Sequence, residues 1–297
     1  MKDSIPLKEK IRSPVVGDMF YPEDRSSVEA QFRAWGLEPG AGASAIIAPH
    51  GAWGISGRLA ANAFSAAGGT GGGAGGMAGS AGGMAGGKKS RDSISRVFIL
   101  GPIYRGPEDG IFLSDSDTFE TPLGALEVDR KMGNELASCS TLFEVNDIPH
   151  LREHSIEVLL PFIKYCFPRA SIVPILMGGS RRPLIKALAR ALEIMTPVMK
   201  KSLCVVSCNV GMNSSPETAR IQAEECIRLL MEKDAPGFSA GLSDGRISAC
   251  GGALAASLLE SGLVANREAH LVSNPLISAR DEENKTVYYG ALSYEAE

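Results

Sequence analysis

Chemically useful side chains follow three apolar runs of the sequence, each at the point where the run ends. The runs and the residues behind them are 45–48 with His50, 97–100 with Gly101-Pro102, and 203–206 with Ser207-Cys208-Asn209. Imidazole, thiol and amide groups in such turns can hold a ligand, coordinate a metal ion or move a proton. We expect these three loops to form the rim of one site.

Cys250 is the cysteine whose surroundings suggest chemistry. Gly251 and Gly252 follow it, and an apolar helical pattern covers residues 247–262. A cysteine at the start of a helix would have a lowered pKa. Cys250 and His50 therefore have the residue types of a nucleophilic thiol–imidazole pair, although the sequence names no third residue to orient them.

Metal motifs of familiar spacing are weak in this chain. The six cysteines show no zinc-like spacing, and Cys166 and Cys226 fit buried, reduced side chains. His150 and His154 are spaced i, i+4 as in a zinc pair, but the HExxH order and a third ligand are missing. No zinc site is expected from these residues.

Strands alternate with helices along the chain. The predicted strands are 45–48, 97–100, 172–177, 203–206, 269–273 and 286–294. The predicted helices are 57–67, 129–139, 154–166, 181–195, 216–232 and 247–262. This alternation predicts a largely parallel sheet with helices on both faces, and ligands bind such folds beyond the carboxyl ends of the strands. The predicted rim lies at that edge.

Composition excludes several classes of function. The net charge of −4 and the low aromatic content of 6% argue against nucleic-acid binding. No apolar run approaches the roughly 20 residues that span a bilayer, and the N-terminus lacks a secretory signal, so we expect a cytoplasmic protein. Residues 68–93 are nearly all Gly, Ala and Ser, which predicts a flexible insertion because this composition buries little surface.

A series of motifs in one order resembles the Memo family, which is the same as protein B of the AmmeMemoRadiSam system. The motifs are "RSPVVGDMFYPEDRSSVEAQF" (12–32), "AIIAPHGAWGISGRLAANAF" (45–64), "RVFILGP" (96–102), "FETPLGALEVD" (119–129), "HLREHSIEVLLPFIKYCFP" (150–168), "IVPILMG" (172–178), "ACGGALAASL" (249–258) and "GALSYEA" (290–296). The resemblance covers most of residues 1–297 and implies a single domain interrupted by the 68–93 insertion. It implies an α/β/α sandwich around a largely parallel or mixed sheet, related to class III extradiol ring-cleavage dioxygenases. It also implies a pocket that binds iron or copper in some members.

This chain departs from the family pattern in that pocket. Members typically show Gly-Pro-Ser-His-His after the second strand, whereas residues 101–105 read Gly-Pro-Ile-Tyr-Arg. Members typically show Ser-Ser-Asp-Phe-Ser-His-Tyr after the fourth strand, whereas residues 207–213 read Ser-Cys-Asn-Val-Gly-Met-Asn. Tyr104 and Met212 thus replace pocket histidines, and Asn209 replaces an aspartate. His50, His154 and Cys250 match the pattern.

The retained residues define the expected site and its metal preference. The resemblance and the strand ends together predict a pocket lined by His50, Tyr104, His154, Asn209, Met212 and Cys250. An extradiol dioxygenase holds Fe(II) through two histidines and a carboxylate, and that set is depleted here. His50, Cys250 and Met212, with Cys208 as a further candidate, would instead form a soft cluster that suits Cu(I). Apolar packing of Met212 and Cys208 in a pocket that has lost its metal is the simpler alternative.

We predict a Memo-like protein that is not a dioxygenase and whose strand-end pocket binds a small ligand, a peptide or a soft metal. One alternative is a copper-, iron- or thiol-dependent oxidoreductase that uses His50 and Cys250 as catalytic candidates. Another is a phosphopeptide-binding signalling adaptor, for which Arg105 is the nearby cation. The resemblance offers a radical-SAM protein and AmmeMemoRadiSam protein A as partners, and we expect neither nucleic acid nor membrane as a partner.

Overall fold

A mixed eight-stranded sheet lies at the centre of the computed structural model, which describes residues 9–38, 42–67, 94–104, 106, 109–273 and 276–295. Two short three-stranded sheets accompany it in this part of the chain. The strands are β1 (Ile11–Arg12), β2 (Ala43–Ala48), β3 (Arg96–Pro102), β4 (Gly110–Leu113), β5 (Thr118–Phe119), β6 (Leu126–Glu127), β7 (Phe143–Val145), β8 (Ser171–Gly178), β9 (Ser202–Ser207), β10 (Gly211–Asn213), β11 (Glu268–Leu271), β12 (Ile277–Arg280), β13 (Thr286–Tyr289) and β14 (Leu292–Glu295).

The order of strands in the large sheet is β11-β14-β2-β9-β3-β8-β4-β7. The four central strands β2, β9, β3 and β8 run parallel, and β14 and β4 pair antiparallel on either side of them. The carboxyl ends of the central strands therefore share one edge of the sheet, which is where α/β folds place their ligands. The small sheets have the orders β1-β5-β6 and β10-β13-β12.

Helices cover both faces of the sheet. They are α1 (Arg25–Trp35), α2 (Arg58–Ala66), α3 (Arg130–Ala137), α4 (Leu160–Cys166), α5 (Arg182–Met195), α6 (Pro216–Glu232), α7 (Ala235–Asp244) and α8 (Gly252–Glu260). Side chains alternate along each strand, so Ile46 joins the apolar cluster that contains residues of α1, α2 and α4, while Ile47 joins that of α3 and α5–α8. The three layers confirm the predicted α/β/α fold.

Local sequence explains several of the boundaries. Ser215 caps α6 by accepting from the Thr218 N–H, and Pro216 occupies its first turn, as the sequence predicts. The predicted helices 57–67, 129–139 and 181–195 correspond to α2, α3 and α5. None of the helices in the described ranges is both long enough and apolar enough to cross a membrane.

Three predicted elements were wrong in their bounds. The α-helix expected over 154–166 begins only at Leu160, after a 3₁₀ turn over Glu157–Leu159. The helix expected over 247–262 begins at Gly252, because Gly251 adopts a left-handed φ of 90°. The strand expected over 286–294 is two strands, β13 and β14, which belong to different sheets. The predicted insertion at 68–93 lies outside the described residues.

Candidate functional site

The ends of the central strands bring His50, Tyr104, Ser207 and Cys250 into one hydrogen-bonded group, which we call the site cluster. His50 follows β2, Tyr104 follows β3 and Ser207 ends β9. Cys250 precedes α8 and reaches this edge through its carbonyl, which accepts a hydrogen bond from the backbone N–H of Asn209 (2.9 Å). Residues far apart in the sequence meet because parallel strands deliver their loops to the same edge.

The hydrogen bonds of the site cluster run in one direction. The Ser207 hydroxyl donates to the carbonyl of Ser155 (2.5 Å), which can only accept. His50 Nδ1 must therefore donate to Ser207 Oγ (2.7 Å), which leaves a lone pair on Nε2. The Tyr104 hydroxyl donates to that lone pair (2.5 Å), and Cys250 Sγ donates to the same hydroxyl. One phenol oxygen thus joins the imidazole to the thiol.

His50 is held as a neutral imidazole. Its side chain is 2% exposed, and burial, reinforced by the neighbouring His154, lowers its pKa to about 3. Its backbone N–H donates to Asn209 Oδ1 (3.1 Å), so the Asn209 amide holds the main chain of His50. The ring therefore offers a fixed Nε2 lone pair to the centre of the cluster.

Tyr104 is partly exposed to solvent. The residue is 42% exposed, yet its hydroxyl lies inside the cluster, where burial and the adjacent Cys250 raise the pKa of the phenol. Its ring lies 5.0 Å from the ring of His154, which in turn lies 4.9 Å from the ring of Phe20. These three rings form the outer wall of the site.

Glu153 connects the wall to the cluster, and it was not among the predicted site residues. Its carboxylate is 2% exposed and accepts from the backbone N–H groups of Tyr104 (2.7 Å), His154 (2.9 Å) and Ser155 (2.9 Å). Its Oε1 also lies 3.1 Å from His154 Nδ1. Burial opposes ionisation of Glu153, but the hydrogen bonds from His154, Tyr104 and Ser155 outweigh it, so the pKa is lowered.

The predicted helix over 154–166 starts late, after a turn in which the N–H groups of His154 and Ser155 donate to the Glu153 carboxylate. Without a helix here, Glu153 and Glu157 share no helical face. The only signal in the sequence was the acidic residue beside His154.

Cys250 does not have the lowered pKa expected of a cysteine at a helix start. It lies two residues before α8, and burial raises the pKa of its thiol to about 12, against a smaller opposite effect of the Tyr104 hydroxyl. Gly251 makes this position possible, because a Cβ there would lie 2.3 Å from the carbonyl oxygen of Ser207. The thiol is therefore a neutral donor in the resting protein.

Met212 and Cys208 have the surroundings of core side chains. Met212 lies on β10 opposite Val287 and packs, partly buried, against the apolar cluster of α1, α2 and α4. Cys208 is completely buried in the cluster on the other face of the sheet, and burial raises its pKa well above the usual value. The structure therefore does not join these two residues to the hydrogen bonds of the site cluster.

The two histidines of "HLREH" also separate. His154 lies in the wall of the site, whereas His150 is buried and its Nε2 bonds to the carbonyl of Phe112 (3.2 Å). No helix covers 150–156, so the i, i+4 spacing does not place the two rings on one face. Arg105, the cation considered for a phosphopeptide, lies outside the described residues.

The donor set decides which metal the site fits. In the part of the chain that the structure describes, no three His, Cys, Asp or Glu side chains converge on one point. Iron(II) in a two-histidine, one-carboxylate arrangement does not fit, because in the described residues no second histidine and carboxylate converge with His50 on one point. A soft ion needs fewer donors, and His50 Nε2 and Cys250 Sγ both face the Tyr104 hydroxyl oxygen. That pair fits a soft ion once the hydroxyl moves aside.

The layered α/β fold and the strand-end site define the class of protein, and similarity to known proteins agrees with it. The family model described as Memo-like protein matches residues 84–292. A MEMO1 family protein of Nitrosopumilus maritimus is 25% identical, over 96% of this chain and 99% of that protein. One from Pyrobaculum aerophilum is 27% identical over 96% of this chain and 99% of its own length. One from Thermococcus kodakarensis is 30% identical over 66% and 63%.

The family match covers more than half of the chain, and full-length relatives align with nearly all of it. The chain belongs to the Memo family.

Proposed function

We propose that this Memo-family protein binds a soft metal ion, Cu(I), through His50 and Cys250 and does not cleave aromatic rings. One observation carries the proposal: His50 Nε2 and Cys250 Sγ contact the same atom, the hydroxyl oxygen of Tyr104. An imidazole lone pair and a thiol sulfur directed at one point are the donor types that favour Cu(I) among the biological metals. Bound copper would supply one-electron redox chemistry at this point.

The residues around the two donors support metal binding. Ser207 accepts from His50 Nδ1 and thereby orients the ring, as the hydrogen-bonded neighbours of metal-binding histidines do. The negative charge of Glu153 acts on His50 and favours a cation beside it. Metal binding replaces the thiol proton of Cys250, so the raised pKa of the free thiol makes proton release part of the binding reaction.

The other predicted functions have less support. A thiol-dependent enzyme needs a thiolate, and burial raises the pKa of Cys250 to about 12. A phosphopeptide would meet the buried carboxylate of Glu153, whose negative charge repels phosphate. Ring cleavage requires a carboxylate free to bind iron. A radical-SAM protein and AmmeMemoRadiSam protein A as partners, and the cytoplasm as location, stay predictions.

The test is an anaerobic Cu(I) titration in competition with a colorimetric chelator. The unaltered protein should bind one equivalent, and His50→Gln and Cys250→Ser should each lose at least roughly tenfold in affinity, because each removes one of two donors. Cys139→Ser is the matched control, since this free, partly buried cysteine follows α3 and lies outside the site cluster. Unchanged binding in the His50→Gln, Cys250→Ser double variant would overturn the proposal.

A parallel assay addresses ring cleavage. Protein loaded anaerobically with Fe(II) is mixed with catechol and air, and the yellow ring-opened product is followed by absorbance. We expect no turnover above that of free Fe(II). Turnover that depends on His50 would contradict the proposed function.

A further inference from the structure

Tyr104 is the feature of the site that metal binding alone does not explain. Its hydroxyl donates to His50 Nε2 and accepts from Cys250 Sγ, so it occupies both donors on which the proposed function depends. The residue is 42% exposed, although its hydroxyl is bonded inside the site cluster. A side chain with one end in the site and the other in solvent can leave without disturbing the core.

The main chain of Tyr104 is held independently of its hydroxyl. Its N–H donates to Glu153 Oε2 (2.7 Å), and the preceding N–H of Ile103 donates to the carbonyl of Met177 (3.0 Å). The carbonyl of Pro102 accepts from the Ser155 hydroxyl (2.7 Å). Removal of the hydroxyl from the site therefore requires only rotation of the Tyr104 side chain, with the backbone fixed.

We propose that the Tyr104 hydroxyl is an intramolecular competitor of the metal ion. In the metal-free protein it bonds to His50 and Cys250, and on metal binding it rotates outward with its proton while the Cys250 proton passes to solvent. The inference rests on the proposed function and adds how the affinity of that site is set. Tyr104 keeps the affinity below that which His50 and Cys250 would reach alone, so only a donor that holds its copper ion weakly can fill the site.

The size of the effect follows from the hydrogen bonds that must be broken. A buried hydrogen bond contributes on the order of tenfold to an equilibrium, and the phenol makes two. Tyr104→Phe removes both bonds and retains the ring against His154. We expect this variant to bind Cu(I) roughly tenfold or more tightly than the unaltered protein. Tyr104→Ala should also bind Cu(I) more tightly. This variant removes the ring as well as the hydroxyl, so it tests the competition even if the ring of Tyr104→Phe still blocks the site.

The experiment compares Cu(I) affinities of the unaltered protein, Tyr104→Phe and Tyr104→Ala by chelator competition, with folding checked by circular dichroism. Tyr165→Phe is the matched control, because this partly exposed tyrosine packs against Phe32, away from the site. A second readout is NMR of protein with ¹³C-labelled tyrosine, since Cu(I) is diamagnetic. The Tyr104 signal is the one that is absent from the spectrum of Tyr104→Phe. On addition of Cu(I) to the unaltered protein, this signal should shift towards the position of a solvent-exposed phenol.

Each outcome separates the competition from the proposed function. Equal affinities in the unaltered protein and both Tyr104 variants overturn the competition, while binding itself stands. Weaker binding in Tyr104→Phe also overturns it, because the phenol oxygen would then be a ligand. Absence of binding in every protein, or binding that survives Cys250→Ser in the Tyr104→Phe background, overturns the proposed function and the competition with it.

Discussion

Two buried polar groups lie against the same segment, residues 150–157, and they are built on opposite principles. The first, which we call the anchor cluster, consists of Arg12, Glu157 and Tyr21. Arg12 and Glu157 form an ion pair of 2.5 Å with side chains that are 1% and 0% exposed. The second is the site cluster, whose imidazole, phenol, thiol and hydroxyl groups are all uncharged. One cluster is ionic and closed, and the other is neutral and reaches the surface.

The partners of the two clusters differ in how easily they can be exchanged. Glu157 accepts from the N–H groups of Val15 and Val16 and from the Tyr21 hydroxyl, in addition to Arg12. Arg12 donates in turn to the carbonyls of His150 and Glu153. These bonds hold the N-terminal segment against the segment that carries Glu153. Loss of either charged partner would leave the other buried charge unpaired.

In the site cluster, by contrast, a single phenol links the two donors, and its ring is partly in solvent. Neutral groups can exchange one partner for another at small cost, whereas a buried ion cannot lose its counterion. The difference indicates that full pairing of buried charge supports the fold, while replaceable neutral contacts lie where the proposed metal ion would bind.

The largest expected effect is on the anchor cluster. Glu157→Gln leaves Arg12 buried without its counterion, so the free energy of unfolding should fall by about 3–5 kcal/mol. Urea denaturation followed by circular dichroism measures this. Glu29→Gln, which removes a partner of the exposed Arg25, is the matched control and should leave the unfolding midpoint nearly unchanged. A loss no greater than that of the control would show that the two ion pairs do not differ.

Gly251 connects the fold to the site, and its substitution should have the next largest effect. Gly251→Ala forces a side chain onto a residue with φ of 90° and against the Ser207 carbonyl, so we expect a loss of about 2–3 kcal/mol. Cu(I) affinity should fall as well, because Cys250 is displaced. Gly245→Ala has a similar φ of 78° but open space around its Cβ, and it should cost less and leave Cu(I) binding unchanged. Equal losses in both variants would contradict the close contact.

His150 should make the anchor region sensitive to acid. Burial lowers its pKa to about 3, whereas the unfolded chain binds a proton near the ordinary value of about 6.5. Between these values the unfolded state binds more protons, so stability falls as pH falls, by roughly 2 kcal/mol from pH 7 to pH 5. His150→Gln should remove that part of the pH dependence in urea denaturation. An identical pH dependence in the variant would rule this out.

The smallest of the expected stability effects belongs to the site cluster. Tyr104→Phe leaves His50 Nε2 without a donor, which should lower the free energy of unfolding by about 1–2 kcal/mol. The same variant should bind Cu(I) more tightly, so stability and affinity should change in opposite directions. Thermal unfolding with and without Cu(I) measures both. A loss as large as that of Glu157→Gln would erase the distinction between the two clusters.

The layers of the fold could be predicted because they follow from local patterns. The continuous apolar run at 97–100 predicts a buried strand, and the helical spacing of apolar residues over 181–195 predicts a helix. A capping residue such as Ser215 marks the start of a helix. The helices α1 and α7 were missed: α1 buries only Val28 and Phe32, and α7 contains Pro236, Gly237 and Gly241, which weaken a helical pattern. The late start of α4, after a 3₁₀ turn over Glu157–Leu159, was missed as well.

For the site, the sequence alone determined the family resemblance and the choice of His50 and Cys250 as candidate residues. Residue types and their order along the chain carry that information. Only the tertiary structure decided that Tyr104 bridges the two retained donors, that Glu153 holds the surrounding backbone, and that Met212 and Cys208 pack as core. Those roles depend on which loops three parallel strands bring to one edge, and on burial that changes a thiol from a reactive group into a neutral one. Neither the meeting of these loops nor the burial of the thiol can be predicted from a single stretch of residues.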